Sequence, residues 1–132
     1  MEKEFVPYEL ALRLKKLGFD EPCFSWHASK THGLAYGKVI KSDLIQDAVL
    51  APTFSQAFRW FSDKHNLHGE LYTVDMGAIE YCFQIRDLYS ENYIYDNFMG
   101  AGDSYSGTFD SFEESELECL KKLIKIIENK IQ

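Results

Sequence analysis

One mid-chain segment supplies its own start, face and stop, and so limits the fold more than any other stretch: residues 51–67, APTFSQAFRWFSDKHNL. Pro52 presets a helical φ, Thr53 can cap with Gln56 three residues on, and Phe54, Ala57, Phe58 and Phe61 recur at helical spacing. Phe58 stands at the centre of that stripe, with Trp60 off it beside Arg59. Asn66 and the following His68-Gly69 end the helix. A single apolar stripe must be covered by a sheet, and strands are expected on both sides of it.

Residues 7–18 read as an earlier helix, with Pro7 in the opening turn, Leu10, Leu14 and Leu17 on one stripe, and Gly18 at the C-terminal cap. Residues 23–27 alternate, Phe24 and Trp26 on one side and Cys23, Ser25 and His27 on the other, which predicts a strand. Residues 34–40 return as a second strand weakened by Gly37, and 41–50 are irregular. Beyond the central helix, 71–74 and 78–86 form a hairpin around Asp75-Met76-Gly77, with Ile79, Tyr81, Phe83 and Ile85 inward and Glu80, Cys82, Gln84 and Arg86 outward. Residues 87–111, rich in Tyr and Gly, read as a long loop in which Tyr93-Ile94-Tyr95 alone is open to regular structure. Ser111 and Glu114 form a capping box for a closing helix over about 112–130. The order α-β-β-α-β-β-α predicts an α+β fold, a mainly antiparallel sheet covered by helices on one face, in one domain over 1–132. Hairpins on either side of a helix leave a pseudo-duplication open.

A chain of 132 residues, 45% hydrophobic, can bury one ordinary core. Its net charge of -7 argues against duplex nucleic acid as a partner. Lys121, Lys122, Lys125 and Lys130 follow Glu113, Glu114, Glu116 and Glu118 along the closing helix, an order that suits the helix dipole and reads as a solvated face. No stretch approaches the ~20 apolar residues that span a bilayer, and the first residues lack the apolar run of a signal peptide. Cys23, Cys82 and Cys119 are odd in number and sit in apolar patterns, which argues against a disulfide framework or a zinc site. The expected location is a reducing cytoplasm.

Three blocks, FVPYELALRLKKLGFDEPCF (5–24), APTFSQAFRWF (51–61) and SFEESELECLKKLI (111–124), together resemble a family of small uncharacterised proteins common in phage and prophage gene sets. The resemblance covers roughly half the chain and implies a mobile-element accessory role. It brings no site residues with it.

No catalytic or cofactor motif stands out, and no cofactor is expected. His27 and His32 bracket the first hairpin connection, but no third ligand lies at a recognisable metal spacing, so no metal is expected either. His65 reads as a core-edge or capping residue, the three thiols as buried structural groups, and Asp75 and Glu80 as ordinary exposed carboxylates. The leading reading is a non-enzymatic interaction module for a protein partner. Its evidence is the Tyr-rich segment with Tyr93, Tyr95 and Tyr105, and a closing helix whose apolar arc is wider than one sheet requires. Leu117, Leu120, Ile124, Ile127 and Ile131 would cover the sheet, leaving Cys119, Leu123 and Ile126 for a homodimer interface. The alternative is a small-molecule binder, in particular for a nucleotide, with Trp26, Trp60 and the tyrosines stacking on a base and Arg59 or His32 meeting phosphate. A hydrolase using His27 or His32 with a carboxylate comes third. A pocket of aromatics with a basic group would favour the small molecule, and a flat apolar patch the protein partner.

Overall fold

The structure is a computed structural model that describes residues 2–29, 33–40, 49–89, 93–98 and 107–131. Its contacts group into two units, Met1–Ala57 and Phe58–Gln132.

In the first unit a short 3-10 turn (Glu2–Glu4) leads into helix α1 (Tyr8–Lys16), whose N-cap is Pro7 at φ -66°. Gly18 adopts φ +101°, and the N–H groups of Gly18 and Phe19 return to the carbonyls of Lys15 and Leu14 at 3.1 and 3.0 Å, which closes the helix end. Leu10, Ala11 and Leu14 are buried. Strands β1 (Cys23–Ser29), β2 (Gly33–Ile40) and β3 (Val49–Leu50) form an antiparallel sheet in the order β2-β1-β3. The buried side of β1 is the one with Cys23, Ser25 and His27, while Phe24 is 54% exposed. Its polar groups are satisfied there: Ser25 Oγ donates to the Ala51 carbonyl at 2.7 Å, and His27 Nε2 donates to the Val6 carbonyl at 2.9 Å. Strand β3 falls in the stretch read as irregular, and two residues are too few for alternation to show.

Helix α2 (Phe54–His65) starts as its sequence requires, with Thr53 Oγ1 accepting the Gln56 N–H at 3.1 Å, and stops at Asn66, which takes the left-handed φ of 56°. Its buried residues are Phe54, Ala57, Trp60 and Phe61, and Phe58 is only half-buried. The inward face is therefore rotated toward Trp60 from the expected stripe.

In the second unit β4 (Leu67–Asp75), β5 (Ile79–Asp87) and β6 (Tyr93–Asp96) form an antiparallel meander in the order β4-β5-β6. Strand β4 begins four residues before the expected 71–74, because Asn66 turns the chain directly from helix to strand and Leu67, His68 and Gly69 pair with Asp87, Arg86 and Ile85. Gly77, at φ +92°, makes the hairpin tip, its N–H donating to Asp75 Oδ1 at 3.1 Å. Strand β6 lies inside the segment read as a loop, at the Tyr93-Ile94-Tyr95 stretch left open to regular structure. Helix α3 (Phe112–Ile131) opens with Ser111 Oγ accepting the Glu114 N–H at 3.1 Å, as its capping box predicts.

The fold is α+β with antiparallel sheets, and among the described residues the strands divide between two three-stranded sheets instead of one. The first strand is central in one sheet and the middle strand in the other, so the halves are not repeats. Helix α3 lies on the side of its sheet that carries Gly69, Phe83 and Ile85. A Cβ on Gly69 would stand 2.9 Å from Cys119 Sγ and 3.1 Å from Leu123 Cδ1. Cys119 and Leu123, expected at a homodimer interface, are thus buried within the chain, where the missing side chain of Gly69 lets the helix approach. Ile126 is half-buried, and Ile131, assigned to the sheet, is 66% exposed.

Candidate functional site

Two separate segments complete the edge of β5. Strand β6 pairs Tyr95 with Ile85 and Asp96 with Gln84, and then Asn97 continues the ladder with both backbone and side chain. Its N–H donates to the Phe83 carbonyl at 3.0 Å and its Oδ1 accepts the Phe83 N–H at 2.5 Å, while Nδ2 donates to the Gly107 carbonyl at 2.9 Å. Two residues beyond Gly107, Phe109 and Tyr81 exchange backbone hydrogen bonds of 2.8 and 2.9 Å. Strand alternation then places Tyr95, Phe83 and Phe109 on the side of the sheet that faces α3. Their rings lie in a row, 5.5 Å apart and 27° inclined between Phe83 and Tyr95, 6.1 Å and 13° between Phe83 and Phe109.

Across from this row α3 presents Glu118, Lys121, Lys122 and Lys125, which share one helix face because the lysines stand three, four and seven residues from Glu118. With the three rings and Asn97 they line an open cleft of about 290 Å³. Lys122 Nζ lies 4.4 Å from the centroid of the Tyr95 ring, a cation–π contact. Lys121 Nζ is 3.4 Å from Glu118 Oε1, but both side chains are well exposed and the pair holds little. The cations stand out against their surroundings: of the 14 Lys and Arg and 21 Asp and Glu in the chain, residues 58–132 contain seven and fourteen, and the first unit contains seven of each. The whole negative charge therefore belongs to the unit in which three lysines converge on one concavity.

Asn97 is the keystone of the floor and is 2% exposed. Asn97→Leu, which keeps the bulk and removes both amide bonds, should cost about 1–3 kcal/mol in a urea titration, because the Phe83 N–H loses its partner. An unchanged midpoint would show that the segment beyond β6 is dispensable, as a mere loop would be.

The opposite side of the sheet is tied together by polar pairs. Gln84 Nε2 donates to Glu70 Oε2 at 2.6 Å, Tyr72 donates to Asp96 Oδ1 at 2.5 Å, and Thr108 donates to Glu80. The thiols are poor nucleophiles. Burial, with Glu21 nearby, pushes Cys23 up to about 12, and burial likewise raises Cys82, beside Asp96, and Cys119, beside Glu116. Burial foremost, then the charge of Lys130, holds His65 below the usual histidine range, with its ring against Trp60 at 4.9 Å and Phe61 at 5.8 Å. Among the described residues no three His, Cys, Asp or Glu come together as metal donors. No helix among them is long and apolar enough to cross a membrane.

Of the ligand-binding candidates Trp26, His32, Arg59, Trp60, Tyr93, Tyr95 and Tyr105, Tyr95 lines this cleft. Tyr93 belongs to β6, and His32 and Tyr105 lie outside the described residues. Trp26 is half-buried in the sheet of the first unit, opposite Leu50. Trp60 is 4% exposed and packs edge-on against Phe61, so it is a core residue and not the wall of a groove. Arg59 is exposed on α2. The lysines were visible as a cluster, but Asn97, Phe83 and Phe109 were not legible as their counterparts. The signal that could have joined them is the run of lysines at helical spacing opposite a second aromatic strand. Comparison of the chain with protein-family models, curated proteins and solved structures gives no match.

Proposed function

We propose that this chain is a non-catalytic binding protein that holds a small anionic molecule in the cleft between β5, β6 and α3. The observation that carries the reading is the convergence of Lys121, Lys122 and Lys125 on an aromatic floor within an otherwise acidic unit. Acidic surroundings repel long polyanions, while the local lysines attract a compact anion that reaches the cleft. At about 290 Å³ the cleft is at the small end of ligand pockets. The rival reading, a protein-binding surface that includes a homodimer flank on α3, draws less support because Cys119 and Leu123 are occupied inside the chain. The resemblance to phage and prophage accessory proteins supports a sequestering or sensing role for a small anion of the host cell.

Native mass spectrometry of the protein purified from its own host should show a retained anion. The double variant Lys121→Gln, Lys125→Gln should retain at least roughly tenfold less at unchanged thermal stability, since removing a charge-assisted hydrogen bond costs about 1.5–3 kcal/mol. Equal retention by the variant, or a retained ligand without negative charge, would overturn the proposal.

A further inference from the structure

Resting on the reading of this cleft as an anion site, we infer that its ligand is a planar aromatic ring carrying one phosphate monoester, of the size of a nucleoside monophosphate, and that Lys122 occupies the place of the ring until it binds. Two features separate a ring subsite from an anion subsite. The floor is a row of near-parallel rings, Tyr95, Phe83 and Phe109, with Phe83 inclined to its two neighbours by only 27° and 13°. An inorganic anion has no use for such a floor, whereas a base gains by stacking on it. Phe83 is buried in the middle of the row, so Tyr95 and Phe109, both half-buried, are the rings with surface to offer.

The second feature is the position of Lys122. Its ammonium lies 4.4 Å from the Tyr95 ring centroid, in the position that a stacked base would occupy. An incoming ring displaces it from that face, and the ammonium then has a better partner in the phosphate of the same ligand, together with Lys121 and Lys125. The exchange replaces one cation–π contact with a stacked pair and a charge-assisted hydrogen bond. Three lysines match a phosphate monoester, which carries about -1.5 to -2 charges near neutral pH, better than a single carboxylate. The limited volume and the fourteen acids of this unit favour one nucleotide over a strand.

The test uses the full chain and four probes: adenosine 5′-monophosphate, ribose 5-phosphate, adenosine and a ten-nucleotide single-stranded oligothymidylate. In the free protein the Lys122 side-chain protons should resonate upfield, shielded by the Tyr95 ring. Adenosine monophosphate should abolish that shift and bind roughly tenfold or more tighter than either ribose 5-phosphate or adenosine. Tyr95→Leu, checked for folding by circular dichroism, should weaken the nucleotide far more than the sugar phosphate. The nuclear magnetic resonance shift in the wild-type chain decides the matter should that variant misfold. Equal binding of adenosine monophosphate and ribose 5-phosphate, or an unmoved Lys122 signal, would overturn the ring subsite and leave the anion cleft standing. Adenosine binding as well as its monophosphate would overturn the anion cleft itself. Tighter binding of the oligothymidylate would replace the single nucleotide with a strand, and failure of all four probes at millimolar concentration would overturn the inference.

Discussion

Phe61→Ala is expected to lower the free energy of unfolding by about 3–5 kcal/mol, the usual cost of truncating a buried phenylalanine. Phe61 is fully buried in α2, its ring 5.0 Å from that of Trp60 and 5.8 Å from His65. Removing it leaves a void that these rigid neighbours cannot fill by changing rotamer, so a cavity cost adds to the forfeited burial. Against a total stability of about 5–15 kcal/mol for an ordinary domain, the change is severe. Phe58→Ala should cost distinctly less, because that side chain is only half-buried, and exposed Arg59→Ala should fall within about 0.5 kcal/mol of wild type. A urea titration of the three variants checks the order. Equal losses at positions 58 and 61 would mean that α2 is rotated back toward the stripe its spacing suggests.

The difference between Phe58 and Trp60 shows where sequence reasoning stops. Both are aromatic, Phe58 at the centre of the Phe54 to Phe61 stripe and Trp60 beside it, so the apolar arc of α2 is wider than the part that can be buried. Periodicity finds the arc, and tertiary contacts choose the portion. By contrast, the helix ends were legible because capping is local chemistry: Thr53 with Gln56, Ser111 with Glu114 and the left-handed Gly18 each lie within a few residues of the groups they satisfy. Alternation along β5 was readable only in part: Phe83 and Ile85 are buried as expected, but Ile79, expected inward at the hairpin end, is 58% exposed, and Cys82 on the other side is buried. In β1, alternation separated two sides but could not say which turns inward. That choice rests on the carbonyls of Val6 and Ala51, far from Ser25 and His27 in sequence.

The candidate site was half legible for the same reason. Its lysines form an obvious cluster, and their place in the later turns of α3 gave them an adequate local explanation as a solvated face. What changes their meaning is the pairing of one edge of β5 with two segments, through Asn97 and then through Phe109, ten or more residues apart. Neither segment has a period of its own, and a Tyr, Gly, Ser and Asp composition resembles a loop whether or not its ends are ordered by a neighbouring strand.

The same logic gives Leu123→Glu a larger effect than any surface change on α3: cooperative unfolding should be abolished near neutral pH. Leu123 is fully buried and lies where α3 meets Gly69, with no space for a carboxylate to reach water. Burying that charge without a partner costs several kcal/mol, enough to consume most of an ordinary domain's stability. The carboxyl would avoid part of the cost by staying protonated, so its folded-state pKa would be raised above the unfolded one. A group shifted in that direction destabilises most above its folded pKa, and folding should partly return as the pH falls toward about 4. Leu123→Lys should show no such return. Ile126→Glu is the control, three residues along the helix but half-buried, and it should keep a cooperative transition because its charge can reach solvent. Circular dichroism melts across this pH range, with light scattering at each point, separate the outcomes. If Leu123→Glu folds normally while Ile126→Glu halves the particle mass, the flank of α3 is a surface between two copies of the chain, and its packing on Gly69 is not what holds the sheet.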